Sequence, residues 1–159
     1  LGFLWMEEPM EEASLSSYRW LSEQLSLNIL GPETMPGKHW TRAEWIAGRA
    51  CDMIRCGVWG VGGITPCLKV AATAESFNLS CEIHGTGAGN LAVCGAIPNT
   101  TFYERGLLHP FLDYETPPPY LLRLDDPMDR DGLVQLSPDP GLGQALDLDW
   151  IASHPVESA

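Results

Sequence analysis

"CEIHGTGAGN", residues 81–90, sets a histidine directly after a short apolar run and follows it with three glycines. Two readings compete. Either the glycines cradle a phosphate ahead of a helix, or His84 stands at the C-terminal end of a buried strand and faces a reaction centre. A dinucleotide loop needs glycines in the order G-x-G-x-x-G, and a P-loop needs a lysine. The stretch offers Gly85, Gly87 and Gly89 and no lysine. Its glycines suit tight turning and close backbone approach, because a residue without Cβ reaches positive φ at little steric cost.

The surrounding chain repeats the same pattern. Apolar runs occur at "GFLWM" (2–6), "LNIL" (27–30), "MIRC" (53–56), "CEI" (81–83) and "TFY" (101–103). Helical stripes lie between them: Leu15, Tyr18, Leu21 and Leu25, then Cys67, Val70, Ala74 and Phe77, with a looser helix over 88–96. Thr41 and Glu44 form a capping-box pattern that would open the helix containing Trp45 and Ile46. Strand then helix, repeated, predicts a parallel βα array.

The residues at or just beyond these strands are Glu7, Glu33, Gly57, His84 and Glu104, so four of the five are ionisable. In a (β/α) barrel the C-terminal strand ends converge on one mouth, where catalytic groups sit. An open doubly wound sheet is the alternative architecture. Arg55, two residues before Gly57, shares the inward face of a regular strand, and His39 lies just beyond Glu33. After Glu104 the rhythm stops. Pro117 to Pro119, "DDPMDRDG" (125–132) and "PDPGLG" (138–143) describe a turn-rich tail with no helix beyond a few residues. Residues 1–108 are thus expected to form a partial barrel carrying the site, and 109–159 an extended tail that packs back on the barrel or a capping domain.

Bulk properties narrow the function. The 159 residues are 45% hydrophobic and 19% charged, enough for one sizeable core. Nine basic residues against 21 acidic ones, a net charge of -12, oppose binding to nucleic acid or an anionic membrane. No apolar run approaches the roughly 20 residues of a membrane span. The five cysteines contain no CxxC pair and are odd in number, which favours reduced thiols in a cytoplasmic protein over a zinc site or a disulfide framework.

"WMEEP" (5–9), "GPET" (31–34), "GGIT" (62–65), "IHG" (83–85), "YERG" (103–106) and "DGLVQLSPDPGLG" (131–143) together resemble the enolase superfamily, in particular the mandelate racemase and muconate lactonizing enzyme family. The resemblance implies an α/β fold: the C-terminal part of a (β/α)8-type barrel, about strands four to eight, with an irregular tail. It implies Mg²⁺ as cofactor, with Glu7 and Glu33 as two of three carboxylate ligands. It further implies His84 as the acid/base group and Glu104 as the carboxyl that meets the substrate carboxylate; His39 and Arg55, by their positions in the chain, are candidate substrate contacts. A proton beside a carboxylate is too weakly acidic for a side-chain base alone. Mg²⁺ favours oxygen ligands and stabilises the enediolate as a Lewis acid, while histidine titrates near neutrality.

Two departures from the family pattern matter. Gly57 stands where the mandelate racemase subgroup has an aspartate that orients the histidine, so His84 is expected to lack that partner and to donate a proton better than it abstracts one. The matched strands also leave out the first metal ligand and the lysine pair of the second strand. Leu1 is accordingly expected to mark the start of a fragment, unstable or inactive when isolated. The implied activity is a sugar-acid dehydratase acting through an enediolate. Racemisation, epimerisation or cycloisomerisation, and a non-catalytic relative, are the alternatives. The implied partners are a small carboxylate substrate and, for the full-length enzyme, further copies of itself.

Overall fold

The computed structural model describes residues 1–106, 109 and 111–156. The expected boundary at residue 108 falls outside them. Four strands, β1 (Trp5–Glu7), β2 (Asn28–Gly31), β3 (Met53–Cys56) and β4 (Ser80–Ile83), form one sheet in the order β1-β2-β3-β4. Every neighbouring pair is parallel. The expected fifth strand is reduced to a single parallel bridge between Ile83 and Tyr103. Glu82 explains why the ladder stops there. Its carboxylate accepts the amide N–H groups of Thr101 and Phe102, both at 3.2 Å, that a longer strand would offer to β4.

Side chains alternate across a strand, so register sorts them into two sets. One set, Ile29, Ile54, Cys56, Cys81 and Ile83, is buried against Tyr18, Trp45, Ile46, Val61, Cys67, Val70, Ala71, Ala74 and Val93 of the helices. The other carries Glu7, Leu30, Met53 and Ser80 in line, with Arg55 opposite Glu82 one step further on. The helix-facing cluster contains strand residues of one parity only, as in a barrel wall and unlike a doubly wound sheet.

The helices are α1 (Leu15–Gln24), α2 (Lys38–Ala47), α3 (Val58–Val61), α4 (Ile64–Ser76), α5 (Ala88–Ala96) and α6 (Leu148–Ser153). Ser14 caps α1 by accepting the Ser17 amide N–H at 3.3 Å. Tyr18 anchors that helix, its ring 4.6 Å from that of Trp45. The capping-box expectation for α2 fails. The chain enters that helix earlier, through Gly37 at φ 96°, and the Thr41 hydroxyl donates to the Pro36 carbonyl instead of capping an amide. Leu25 and Phe77, read as stripe residues, sit at the C-caps of α1 and α4 and are exposed. The short α3 was not anticipated, since four residues are too few to show a period. The tail also holds a six-residue helix, α6, capped by Asp147 on the Trp150 amide at 2.8 Å, longer than its composition suggested.

The tail is hydrogen-bonded to the segment that follows α5. Arg105, buried, donates to the carbonyls of Tyr114 (2.7 Å) and Asp126 (3.1 Å) and to Glu115 (3.1 Å). Tyr103 donates to Asp126 at 2.6 Å and accepts the Gly87 amide N–H at 2.9 Å. All five cysteines are free thiols. No helix among the described residues is long and apolar enough to cross a membrane.

Candidate active site

β1 ends on Glu7, β2 runs through a cis Gly31–Pro32 peptide to Glu33, and β4 runs directly into His84. The bridge at Tyr103 delivers Glu104 to the same end of the sheet. The parallel ladder puts all four on one rim, as the strand-end pattern predicted.

Arg55 joins them from inside. It is buried and projects from the inner face of β3, where its Nε lies 2.9 Å from Glu7 and 3.8 Å from Glu33 and its Nη2 lies 2.5 Å from Glu104. The same Nη2 reaches His84 Nδ1 at 3.3 Å. Nδ1 is also 3.1 Å from both the Glu33 and the Glu104 carboxylates. His84 therefore has orienting neighbours after all, and they stand on three other segments rather than at position 57. The glycine there has its own cause. A Cβ on Gly57 would come within 2.7 Å of the His84 carbonyl oxygen, so β3 and the His84 loop meet too closely for any side chain.

Burial, offset in part by Arg55 and reinforced by the neighbouring Glu33 and Glu104, raises Glu7 above the usual carboxylate range. For Glu104 burial is outweighed by the Gly85 amide, Arg55 and His84, which hold it below that range. Two crowded carboxylates, Glu7 and Glu33, offer oxygen donors only. They suit a hard cation such as Mg²⁺, which commonly takes one or two protein carboxylates beside water and substrate. Among the described residues, no set of three or more His, Cys, Asp or Glu side chains is placed to hold a metal.

His39 is not brought into this cluster. It lies in the first turn of α2 with its ring 4.3 Å from that of Trp40. Beside His84 and Glu33 opens a cavity of about 430 Å³, walled by Met35, Pro36, Gly57 and the exposed Trp59.

Residues that the sequence did not single out hold the site together. Asn90, in the first turn of α5, donates to the carbonyls of His84 (2.9 Å) and Thr86 (3.0 Å) and accepts the Val58 amide N–H at 2.9 Å. It thereby ties the loop after β4 to the start of α3. Its one signal was a buried-position amide among apolar and small neighbours, the last letter of the stretch quoted first. Glu8, Glu12 and Arg42 surround the Glu33 backbone and showed no signal beyond ordinary helix and loop polarity.

The sequence matches the family described as enolase C-terminal domain-like over residues 1–150. The chain belongs to the enolase superfamily. Its neighbours in that superfamily lie in the mandelate racemase and muconate lactonizing enzyme branch. A solved D-glucarate dehydratase from Agrobacterium tumefaciens, complexed with magnesium, is 55% identical with a TM-score of 0.93, covering 98% of this chain and 40% of that one. A solved enolase from Bradyrhizobium, complexed with magnesium and mandelic acid, is 27% identical with a TM-score of 0.70, covering 97% of this chain and 39% of that one. A D-galactonate dehydratase of Xanthomonas oryzae pv. oryzae is 27% identical over 153 residues, 93% of this chain and 40% of the relative. This superfamily chain thus spans about 40% of the length of these relatives, and the four parallel βα units are part of a (β/α) barrel.

Proposed function

We propose that this chain supplies part of the active site of a Mg²⁺-dependent sugar-acid dehydratase. The observation that carries the reading is the environment of His84 Nδ1. Guanidinium has donors only, so the contact from Arg55 requires an Nδ1 that accepts, which leaves the ring proton on Nε2. The Glu33 and Glu104 carboxylates at 3.1 Å are satisfied by an imidazolium, which also carries a proton on Nε2. Only as an imidazolium can the ring release a proton to a leaving group, and His84 is 41% exposed beside the cavity. Loss of water from a sugar acid breaks the α C–H and β C–O bonds, and the departing hydroxyl needs a proton. His84 is placed to give it.

Glu7 and Glu33 would hold the metal, which when bound would neutralise charge developing on the substrate carboxylate. Glu104 and Arg55 bind and orient: Arg55 offers a fixed cation to a carboxylate, and Glu104 accepts a hydrogen bond from an acid or hydroxyl. Relatives named as D-glucarate and D-galactonate dehydratases support the substrate class. A magnesium complex with mandelic acid supports a racemase of hydroxy acids as the second reading.

Incubation of the full-length enzyme with Mg²⁺ and a panel of aldonic and aldaric acids in D₂O separates them. Dehydration yields a keto-deoxy acid that reacts with semicarbazide. Racemisation yields both epimers of recovered substrate carrying deuterium. Absence of both products, together with a melting temperature unmoved by Mg²⁺, would leave a non-catalytic relative.

A further inference from the structure

The segment from Glu33 to Gly37 has no regular structure, yet both peptide groups of Glu33 end on charged side chains. On the amide side, Glu12 accepts the N–H groups of Glu33 (2.9 Å) and Thr34 (3.0 Å) and the Thr34 hydroxyl (2.8 Å), and Glu8 also accepts the Glu33 N–H. On the carbonyl side, Arg42 of α2 donates to the carbonyls of Glu33, Met35 (2.5 Å) and Lys38 (3.2 Å). Arg42 is 0% exposed and Glu12 is 8% exposed.

A buried guanidinium whose hydrogen bonds all go to backbone carbonyls is costly to desolvate. The fold retains it at one place, the loop that carries Glu33. N–H and C=O of Glu33 are thus both held, and its carboxylate lies 3.8 Å from Arg55 and 3.1 Å from His84.

From this geometry we infer that Arg42 and Glu12 are positioning residues: a cation and an anion that clamp the Glu33 peptide from opposite sides and thereby set its carboxylate for metal and for His84. The inference rests on the reading of Glu33 as a metal ligand, and neither side chain makes a hydrogen bond or ion pair with Glu7, Arg55, His84 or Glu104 among the described residues.

The test uses the full-length enzyme with R42K, which keeps the charge and loses the fork, and E12Q, which keeps an acceptor and loses the charge. Three quantities are read: the melting temperature, the Mg²⁺ dissociation constant by calorimetry, and the His84 ring resonances by NMR. Partners that orient a ligand typically change metal affinity about 10–100-fold. R42K is expected to fold, to weaken Mg²⁺ by about that factor and to shift the His84 resonances, because Glu33 leaves its place 3.1 Å from Nδ1. E12Q is expected to do the same to a smaller degree. Unchanged Mg²⁺ affinity and an unmoved His84 ring in both folded variants overturn the inference. If R42K does not fold, E12Q decides alone. If Mg²⁺ binds neither parent nor variants, the ligand assignment fails, and the His84 resonances still decide whether the clamp aims Glu33.

Discussion

Among the described residues, Arg55 carries the guanidinium that faces Glu7, Glu33 and Glu104, and its removal leaves these carboxylates facing each other. Breaking a buried ion pair from one side costs about 3–5 kcal/mol, and partial exposure of these carboxylates brings the expected loss for R55M to about 2 kcal/mol. Urea melts should show it, and millimolar Mg²⁺ should recover part of the loss by restoring positive charge. Equal midpoints for R55M and parent would remove Arg55 from the centre of the site. Gly57 makes a second test. Its φ of -140° is unstrained, so only the 2.7 Å approach to the His84 carbonyl opposes a side chain. G57A is expected to lose about 1–3 kcal/mol through overpacking. G57D is expected to displace the His84 loop rather than to supply an orienting partner, seen as changed amide shifts from 84 to 87.

At the scale of elements, the layer between sheet and helices is thiol-rich. Cys56, on β3, has its sulfur 3.5 Å from Cys67 of α4 and 3.6 Å from Cys81 of β4, and all three are buried. Burial and the neighbouring charge of Asp52 push the Cys51 thiol up to about 12, and burial foremost pushes the half-buried Cys94 up to about 11. Alkylation requires the thiolate. Iodoacetamide should therefore modify Cys94 at a rate that keeps rising towards pH 11, and the others only after unfolding; rapid labelling of Cys51 at pH 8 would contradict that burial. The helices themselves were legible where apolar residues recur at helical spacing, as in α1 and α4. They were misread where backbone geometry decides. Left-handed Gly37 starts α2, and the Thr41 pattern was a coincidence of composition. A Cβ on Gly37 would stand 1.9 Å from the Thr41 hydroxyl, so G37A should cost about 1–2 kcal/mol in thermal stability. The site shows the same division. Glu7, Glu33, His84 and Glu104 were readable because strand ends impose a register. Arg42, Glu12 and Asn90 were not, because their partners are backbone groups, and a backbone group leaves no letter in the sequence.

For the molecule as a whole, two surfaces remain to be tested. β1 pairs only with β2 among the described strands, and Phe3, Leu4 and Met6 along it are exposed. Exposed apolar edges template association, so light scattering should show the chain self-associating with concentration, and L4K should suppress it. The tail depends on Arg105. Losing its hydrogen bonds to two carbonyls and Glu115 should free residues 112–128, so R105M is expected to be cut by trypsin at Arg123 and Arg130 several-fold faster than parent. Equal cleavage rates would mean that apolar contacts hold the tail unaided.

Glu82 gives the assembly a different mechanical character on its last side. Where β1 to β4 are laced by repeated backbone bonds, the segment bearing Glu104 is held to β4 by one bridge, the Cys81 N–H on the Asn99 carbonyl (2.7 Å) and the Glu82 carboxylate, and at Glu104 by Arg55 and the Gly85 N–H. This side of the sheet therefore depends on individual side chains, Glu82 and Glu104 among them, where the other strands are joined by backbone ladders.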